Sequence, residues 1–209
     1  ESSEIGIIGV GEGTFPSIME TMKAIGIDEA RFMRGANATF KQGVKFVDWT
    51  HAPKGRRHSH YYHPFANPRL LGGADLAPYW LMGLAGNAPL SDAVTLQDKV
   101  CDAGKGPKRI EDAQYGGPMS YAYHFDAGKL AGLMKEVGVE LGVRHLVGNV
   151  TGVNLAEDGA IASVSTAEHG DLTAGLYIDC TGFAGALIGK AMGSPWIDKS
   201  DVLFVDRAD

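Results

Sequence analysis

Four groups of residues in this chain have types and spacings that could do chemistry. Lys41 follows Phe40 in a stretch that reads as a strand. A lysine on a buried face is awkward, because desolvation disfavours its charge; Lys41 is therefore either solvated or set into a site. His58, His60 and His63 fall within six residues and could ligate a metal. Their spacing is loose, no carboxylate is interleaved, and Tyr61, Tyr62 and Phe65 crowd them, so an aromatic-lined pocket for a flat apolar ligand fits better. Gly9-Val10-Gly11-Glu12-Gly13-Thr14 is either backbone passing close to a flat cofactor or phosphate, or an ordinary strand-to-helix turn. It lacks the third spaced glycine of the dinucleotide fingerprint. Asp179-Cys180-Thr181-Gly182 ends an apolar stretch with an acid and a glycine. Asp179 suits a ribityl or phosphate contact, or a helix cap. Cys180 has no adjacent histidine and reads as a packing residue.

These groups need elements to position them. The spacing predicts a helix over about 16–25, with Ile18, Met22 and Ile25 on one face, Thr14 as N-cap and Gly26 as stop. Asp28 caps a short helix over 29–33. One strand is expected over 39–49; on it Lys41 and Lys45 leave the same face. Residues 51–119 carry seven of the nine prolines, so they read as loop, with one short helix near 78–84, and irregular stretches of this kind are often functional. Leu130, Leu133, Met134, Val137 and Leu141 have helical spacing, with Asp126 as N-cap and Gly142 as stop. Strands follow over 144–147, 151–155, 161–167 and 176–180, with turns at 157–159 and 169–171, and then a helix over 184–192. Strand, glycine turn and helix is the phosphate-approach geometry of nucleotide folds, and the alternation gives an α/β class.

Composition narrows the function. The 209 residues carry a formal net charge of −6 and are 44% hydrophobic. With a mean hydropathy of −0.07 and no apolar run of membrane-spanning length, a soluble protein is expected. Acidity without a basic block argues against nucleic acid as partner. Two distant cysteines, Cys101 and Cys180, make neither a disulfide framework nor a zinc pattern, and a reducing, cytoplasmic setting is the default. Gly 29 is about twice the average share of ~7%.

Together the segments resemble the flavin-dependent tryptophan halogenase family. Gly9 to Ser17 is similar to the family's strap motif, G-V-G-E-A-T-x-P, with Gly13 in place of the alanine. Asn37 to Lys41 and Lys45 to Trp49 resemble the segment with the family's lysine. His60 to Phe65 and Tyr79-Trp80-Leu81 resemble the substrate-side stretch. Met119 to Ala127, Tyr177 to Phe183 and Pro195 to Asp201 resemble flavin-domain landmarks. The resemblance implies a flavin monooxygenase-like FAD-binding domain, incomplete here, with part of a substrate module. The chain reads as one portion of such a domain: strap and lysine strand over 1–50, a substrate-side segment over 51–119, flavin-domain helix and strands over 120–209.

The family uses reduced FAD, oxygen and chloride or bromide to make hypohalous acid, which a lysine delivers to an indole. By position that lysine is Lys41. The resemblance places Val44, His63 and Phe65 along the indole and Glu1 on the adenosine ribose. Val10, Gly11, Glu12, Gly13 and Thr14 form the strap, Val150 lies at the adenine side, and Asp179 with Gly182 at the phosphate–ribityl region. It implies no metal, a separate flavin reductase, and leaves a homodimer open. The GxGxxG loop, the WxWxIP motif and the halide-site stretch of the family are not in this sequence, so a longer polypeptide is expected, with this piece alone inactive. A related aromatic hydroxylase and a non-catalytic flavin or indole binder are the alternatives; the lysine discriminates, since hydroxylation needs none.

Overall fold

A computed structural model describes residues 1–6, 12–52, 54–55, 59–68 and 70–205. Val10, Gly11 and His58 lie outside the described residues. The chain divides into two compact units, residues 11–141 and residues 1–10 with 142–209.

The core of the 11–141 unit is built on three helices. The first, α1 (Ile18–Ala24), buries Met22. Ser17, not Thr14, is its N-cap. Thr14 is drawn away because its N–H and hydroxyl both donate to the Tyr123 carbonyl, each at 3.0 Å. α2 (Glu29–Gly35) starts as expected, with the Asp28 carboxylate accepting from the Arg31 N–H. It packs on α6 (Ala127–Glu140), which Asp126 caps on the Lys129 N–H. Gly35 permits the approach, since a Cβ there would stand 3.2 Å from Leu133 Cδ2. Arg31 closes the pair at the surface with a two-pronged hydrogen bond to Glu140. Met22, Ile27, Phe32, Tyr121, Tyr123, Leu133 and Val137 fill the core. Leu141 and Met134 of the predicted apolar stripe stay exposed.

The single strand expected over 39–49 is two strands. β1 (Thr39–Lys41) pairs antiparallel with β4 (Ala122–His124), and β2 (Gly43–Val47) pairs with β3 (His60–Pro64). The break is steric. A Cβ on Gly43 would stand 2.5 Å from the His63 carbonyl oxygen, so the crossing from one sheet to the other admits glycine only. Lys41 and Lys45 consequently sit in different sheets with different neighbours. The proline-rich stretch holds more order than its composition suggests: β3, then α3 (Ala77–Leu81), α4 (Leu90–Val94) and α5 (Gln97–Asp102).

The second unit contains a three-stranded antiparallel sheet in the order β5 (Val150–Leu155), β6 (Ile161–Thr166), β7 (Gly170–Leu172). The expected strand at 144–147 is not formed; in its place the Glu1 amino group donates to the Leu146 carbonyl and Gly148 N–H to the Glu1 carbonyl, each at 2.9 Å. The expected strand at 176–180 has no ladder among the described residues, and Leu176 and Ile178 are exposed. The predicted helix over 184–192 is a 3-10 turn, Gly182–Ala184, then a π-helical turn, Ala186–Ala191, separated by Gly185 in the left-handed region at φ 47°. Among the described residues no helix is long and apolar enough to cross a membrane.

Candidate active site

Lys41 is the centre of the site in the 11–141 unit. It ends β1 opposite Ala122. Its Nζ lies 5.1 Å from the ring centroid of Phe15 and 5.5 Å from that of Phe65. The two rings are 5.8 Å apart and tilted. Each ring face is the negative end of a quadrupole, so the ammonium is held by cation–π attraction. Among the described residues no carboxylate pairs with it.

The strap is fastened beside this lysine. Gly13 bridges antiparallel to His124, the Phe125 N–H donates to the Glu12 carbonyl at 3.1 Å, and Thr14 exchanges hydrogen bonds with Tyr123. The strap is in effect a further edge strand on β4. Glu12, Gly13, Thr14 and Lys41 are thus gathered in one place, although 27 residues separate Thr14 from Lys41 in the chain.

Val44 and His63 are cross-strand partners on β2 and β3, as are Phe46 and Tyr61. Alternation puts all four on one face. Phe46 and Tyr61 stack with centroids 5.0 Å apart and an interplanar angle of 15°. Phe65 extends this face, its N–H on the Gln42 carbonyl at 3.0 Å. A half-open aromatic wall beside an amine results, suited to a flat aromatic ligand. Tyr61 is one of the aromatics expected to line a pocket around the histidines, whereas Phe15 and Phe46 carry no site assignment in the sequence; for Phe15 the signal is an aromatic directly after the glycine-rich loop. Of the three histidines weighed as metal ligands, His60 and His63 are described, and among the described residues no group of three or more His, Cys, Asp or Glu could hold a metal.

The opposite face of β2–β3 is ionic. Lys45 Nζ lies 3.1 Å from Asp102 and over the ring of Tyr62, whose hydroxyl also donates to Asp102. Tyr62 and Lys45 hold the Asp102 carboxyl below its usual range. Close by, burial pushes the Asp98 carboxyl up, against a hydrogen bond from Ser91. Beneath β4, Glu29 is buried, and burial alone would raise its pKa. Hydrogen bonds from the Lys108 ammonium (2.7 Å), the Tyr123 hydroxyl (2.7 Å), the Tyr115 N–H (2.9 Å) and the Tyr121 hydroxyl (2.8 Å) outweigh that and hold it below the ordinary value. Burial and the Glu29 charge push the Tyr115 hydroxyl up to about 12 and raise Tyr121 and Tyr123 further.

In the other unit, Glu1 lies against 146–148 by its backbone, and its carboxylate meets His145 Nε2 at 2.7 Å. Val150 begins β5 two residues beyond that pairing. Asp179 has a different role from a free ligand-binding acid. One of its oxygens accepts from the Thr181 N–H and hydroxyl, the other from the Leu187 and Ile188 N–H groups. Those donors lower its pKa, the Thr181 hydroxyl first, and they occupy both oxygens. Asp179 caps the turn, and Gly182, with open space on its Cβ side, lies exposed within it.

Comparison with known proteins gives the family. A family model described as tryptophan halogenase matches residues 1–208. The chain belongs to the tryptophan halogenase family. It is 34% identical over 229 aligned residues to a 7-chloro-L-tryptophan 6-halogenase of Kutzneria sp. (strain 744), covering 100% of this chain and 43% of that protein. The crystal structure of a tryptophan halogenase from Shewanella frigidimarina NCIMB 400 superposes with a TM-score of 0.89 at 38% identity, over 98% of this chain and 39% of the other. A tryptophan C-6 flavin-dependent halogenase from taromycin biosynthesis gives a TM-score of 0.85 at 36% identity, over 96% and 41%. The α/β fold of the family is therefore that of this chain, and the chain spans about two fifths of the length of the halogenases it matches.

Proposed function

We propose that this chain is the strap and lysine portion of a flavin-dependent halogenase that acts on tryptophan or another indole. Family membership sets the class. The observation that carries the reading is Lys41, an amine held between Phe15 and Phe65 at the strap, without a carboxylate partner among the described residues. An amine so placed can accept an electrophilic halogen and present it to a ring on the Val44–His63 wall.

The residues present fit a flavin in part. Glu1, its carboxylate on His145, and Val150 are assigned to the adenosine side. Asp179 is assigned to holding its turn and Gly182 to leaving that turn's backbone approachable. Val10 to Thr14 are assigned to the strap beside the cofactor. When bound, reduced FAD supplies, with oxygen, the oxidation of chloride or bromide to hypohalous acid. Lys41 holds that acid by hydrogen bonding or takes the halogen on Nζ. His63 and Phe65 orient the indole by stacking and limit water on that side. The reduced flavin comes from a separate flavin reductase, in a cytoplasmic setting, and a mass measurement in solution decides between monomer and homodimer.

The test supplies the full-length protein with FAD, a flavin reductase, halide and tryptophan or indole, and examines products by mass spectrometry. A chlorine or bromine isotope pattern is expected, and Lys41→Ala abolishes it while leaving flavin oxidation intact. An added oxygen atom instead identifies a hydroxylase; bound ligand without product identifies a non-catalytic binder.

A further inference from the structure

Gly13 lies where the strap, β1 and β4 converge. Its backbone is bridged to His124. A Cβ at position 13 would stand 3.0 Å from Lys41 Nζ and 3.4 Å from both Nδ1 and Cε1 of His124. One point in space is therefore in contact range of an amine and an imidazole, and position 13 has no side chain to fill it. The sheet register agrees. His124 is opposite Thr39, and Lys41 is the next residue on that face of β1. His124 is exposed, and among the described residues its side chain makes no hydrogen bond or ion pair. Its ring is committed to nothing else.

We propose that His124 is the proton acceptor for Lys41, working across the space left open by Gly13, directly or through one water molecule. This rests on the reading of Lys41 as halogen carrier. An ammonium has no lone pair, so the lysine must first pass one proton to a base, which leaves a neutral amine and an imidazolium. The amine nitrogen then attacks the halogen of hypohalous acid. The N–halogen bond forms, the O–halogen bond breaks, and the hydroxide leaves as water with a proton from the nitrogen. The halogen, formally +1, passes to an indole carbon and is reduced to the aryl halide. The ring proton goes to the lysine nitrogen, and the imidazolium returns its own. Hypohalous acid is the only oxidant consumed. Imidazole is the fitting base here: among the described residues, the other side chains against Nζ are the two phenylalanine rings.

Two measurements test this. The first needs no cofactor: the protein is acetylated with an N-hydroxysuccinimide ester, and labelling of each lysine is followed by peptide mass spectrometry. His124→Asn slows Lys41 by roughly 10-fold and leaves Lys45 unchanged; equal Lys41 rates in both proteins overturn the proposal. The second uses the fully supplied halogenation assay. His124→Asn lowers kcat by about 100-fold, with KM for tryptophan and flavin oxidation unchanged, and added imidazole restores part of the rate. A wild-type rate, or a loss that imidazole does not restore, overturns it. Failure of the Lys41 reading is seen separately: the unaltered protein makes no halogenated product, or Lys41→Ala makes it at the normal rate, while the acetylation result still decides whether His124 and Lys41 are coupled. If His124→Asn does not fold, His124→Gln serves, and it must slow both reactions; unchanged rates in both overturn the proposal.

Discussion

Lys41 and Lys108 belong to the same compact unit, and their surroundings are opposite. Lys108 Nζ sits 2.7 Å from Glu29, within a ring of tyrosine hydroxyls, and its side chain is 11% exposed. Lys41 Nζ faces two phenyl rings, an open position at Gly13 and an imidazole. A buried carboxylate fixes an ammonium as an ammonium, because neutralising either partner leaves the other charge unpaired in a poor solvent. Aromatic faces hold the same group weakly and leave it able to lose a proton and react. The first arrangement builds a fold; the second is what the role proposed for Lys41 needs. The difference lies in the partners, not the residue type.

The largest effect expected follows from the Lys41 side of that contrast. Lys41→Ala removes halogenation to below detection, measured as halide-labelled product, and leaves the thermal midpoint of unfolding nearly unchanged because Lys41 anchors nothing. The next belongs to the structural side. Glu29→Gln strands the Lys108 charge and destabilises the unit by about 3 kcal/mol, measured by urea denaturation. Its pH dependence is diagnostic. The folded pKa of Glu29 lies below the unfolded one, so its contribution is fully present above the unfolded value of about 4.3 and is lost as pH falls through the lower folded value. Unfolding free energy in Glu29→Gln is correspondingly flatter in acid. A variant as acid-sensitive as the unaltered protein would mean that Glu29 is not the group that distinguishes Lys108 from Lys41.

Sequence reasoning reached some of this contrast and missed the rest for a physical reason. α2 and α6 were legible because their determinants are local: an aspartate cap, helical apolar spacing and a glycine stop. The lysine was legible through its motif. The division of 39–49 into two strands was not, because the requirement for glycine at 43 comes from the His63 carbonyl, twenty residues away. Thr14 was read as a cap because its real partner, Tyr123, is 109 residues distant. His124 drew no attention by itself, since its meaning depends on the strap lying alongside β4. The stretch 176–180 has the alternation of a strand, yet pairing is a property of two segments, and none of the described residues supplies the second. Asp179 was open between ligand and cap, and the four donors on its oxygens place it as a cap.

Smaller effects sharpen the comparison. Phe15→Leu keeps apolar bulk but removes one ring face from Lys41. An exposed cation–π contact is worth about 0.5–1 kcal/mol, so halogenation falls by roughly 2- to 5-fold at unchanged stability. A loss as large as that of Lys41→Ala would show that the ring does more than hold the amine.

The smallest effect belongs to Lys45, four residues after Lys41. It has what Lys41 lacks, a carboxylate at 3.1 Å, but both groups are solvent-exposed there. Water screens such a pair and side-chain entropy opposes it, so its net contribution is small. Lys45→Met is therefore expected to leave the thermal midpoint and the halogenation rate at their unaltered values in 0.15 M salt, with any difference growing as salt is lowered. Burial, then, is the second variable. A carboxylate partner makes a lysine structural only when water is kept from the pair, as at Lys108, and the role proposed for Lys41 needs, besides the absence of such a partner, surrounding rings and a nearby base. A marked loss of stability in Lys45→Met would break that rule, because it would make the partner alone sufficient.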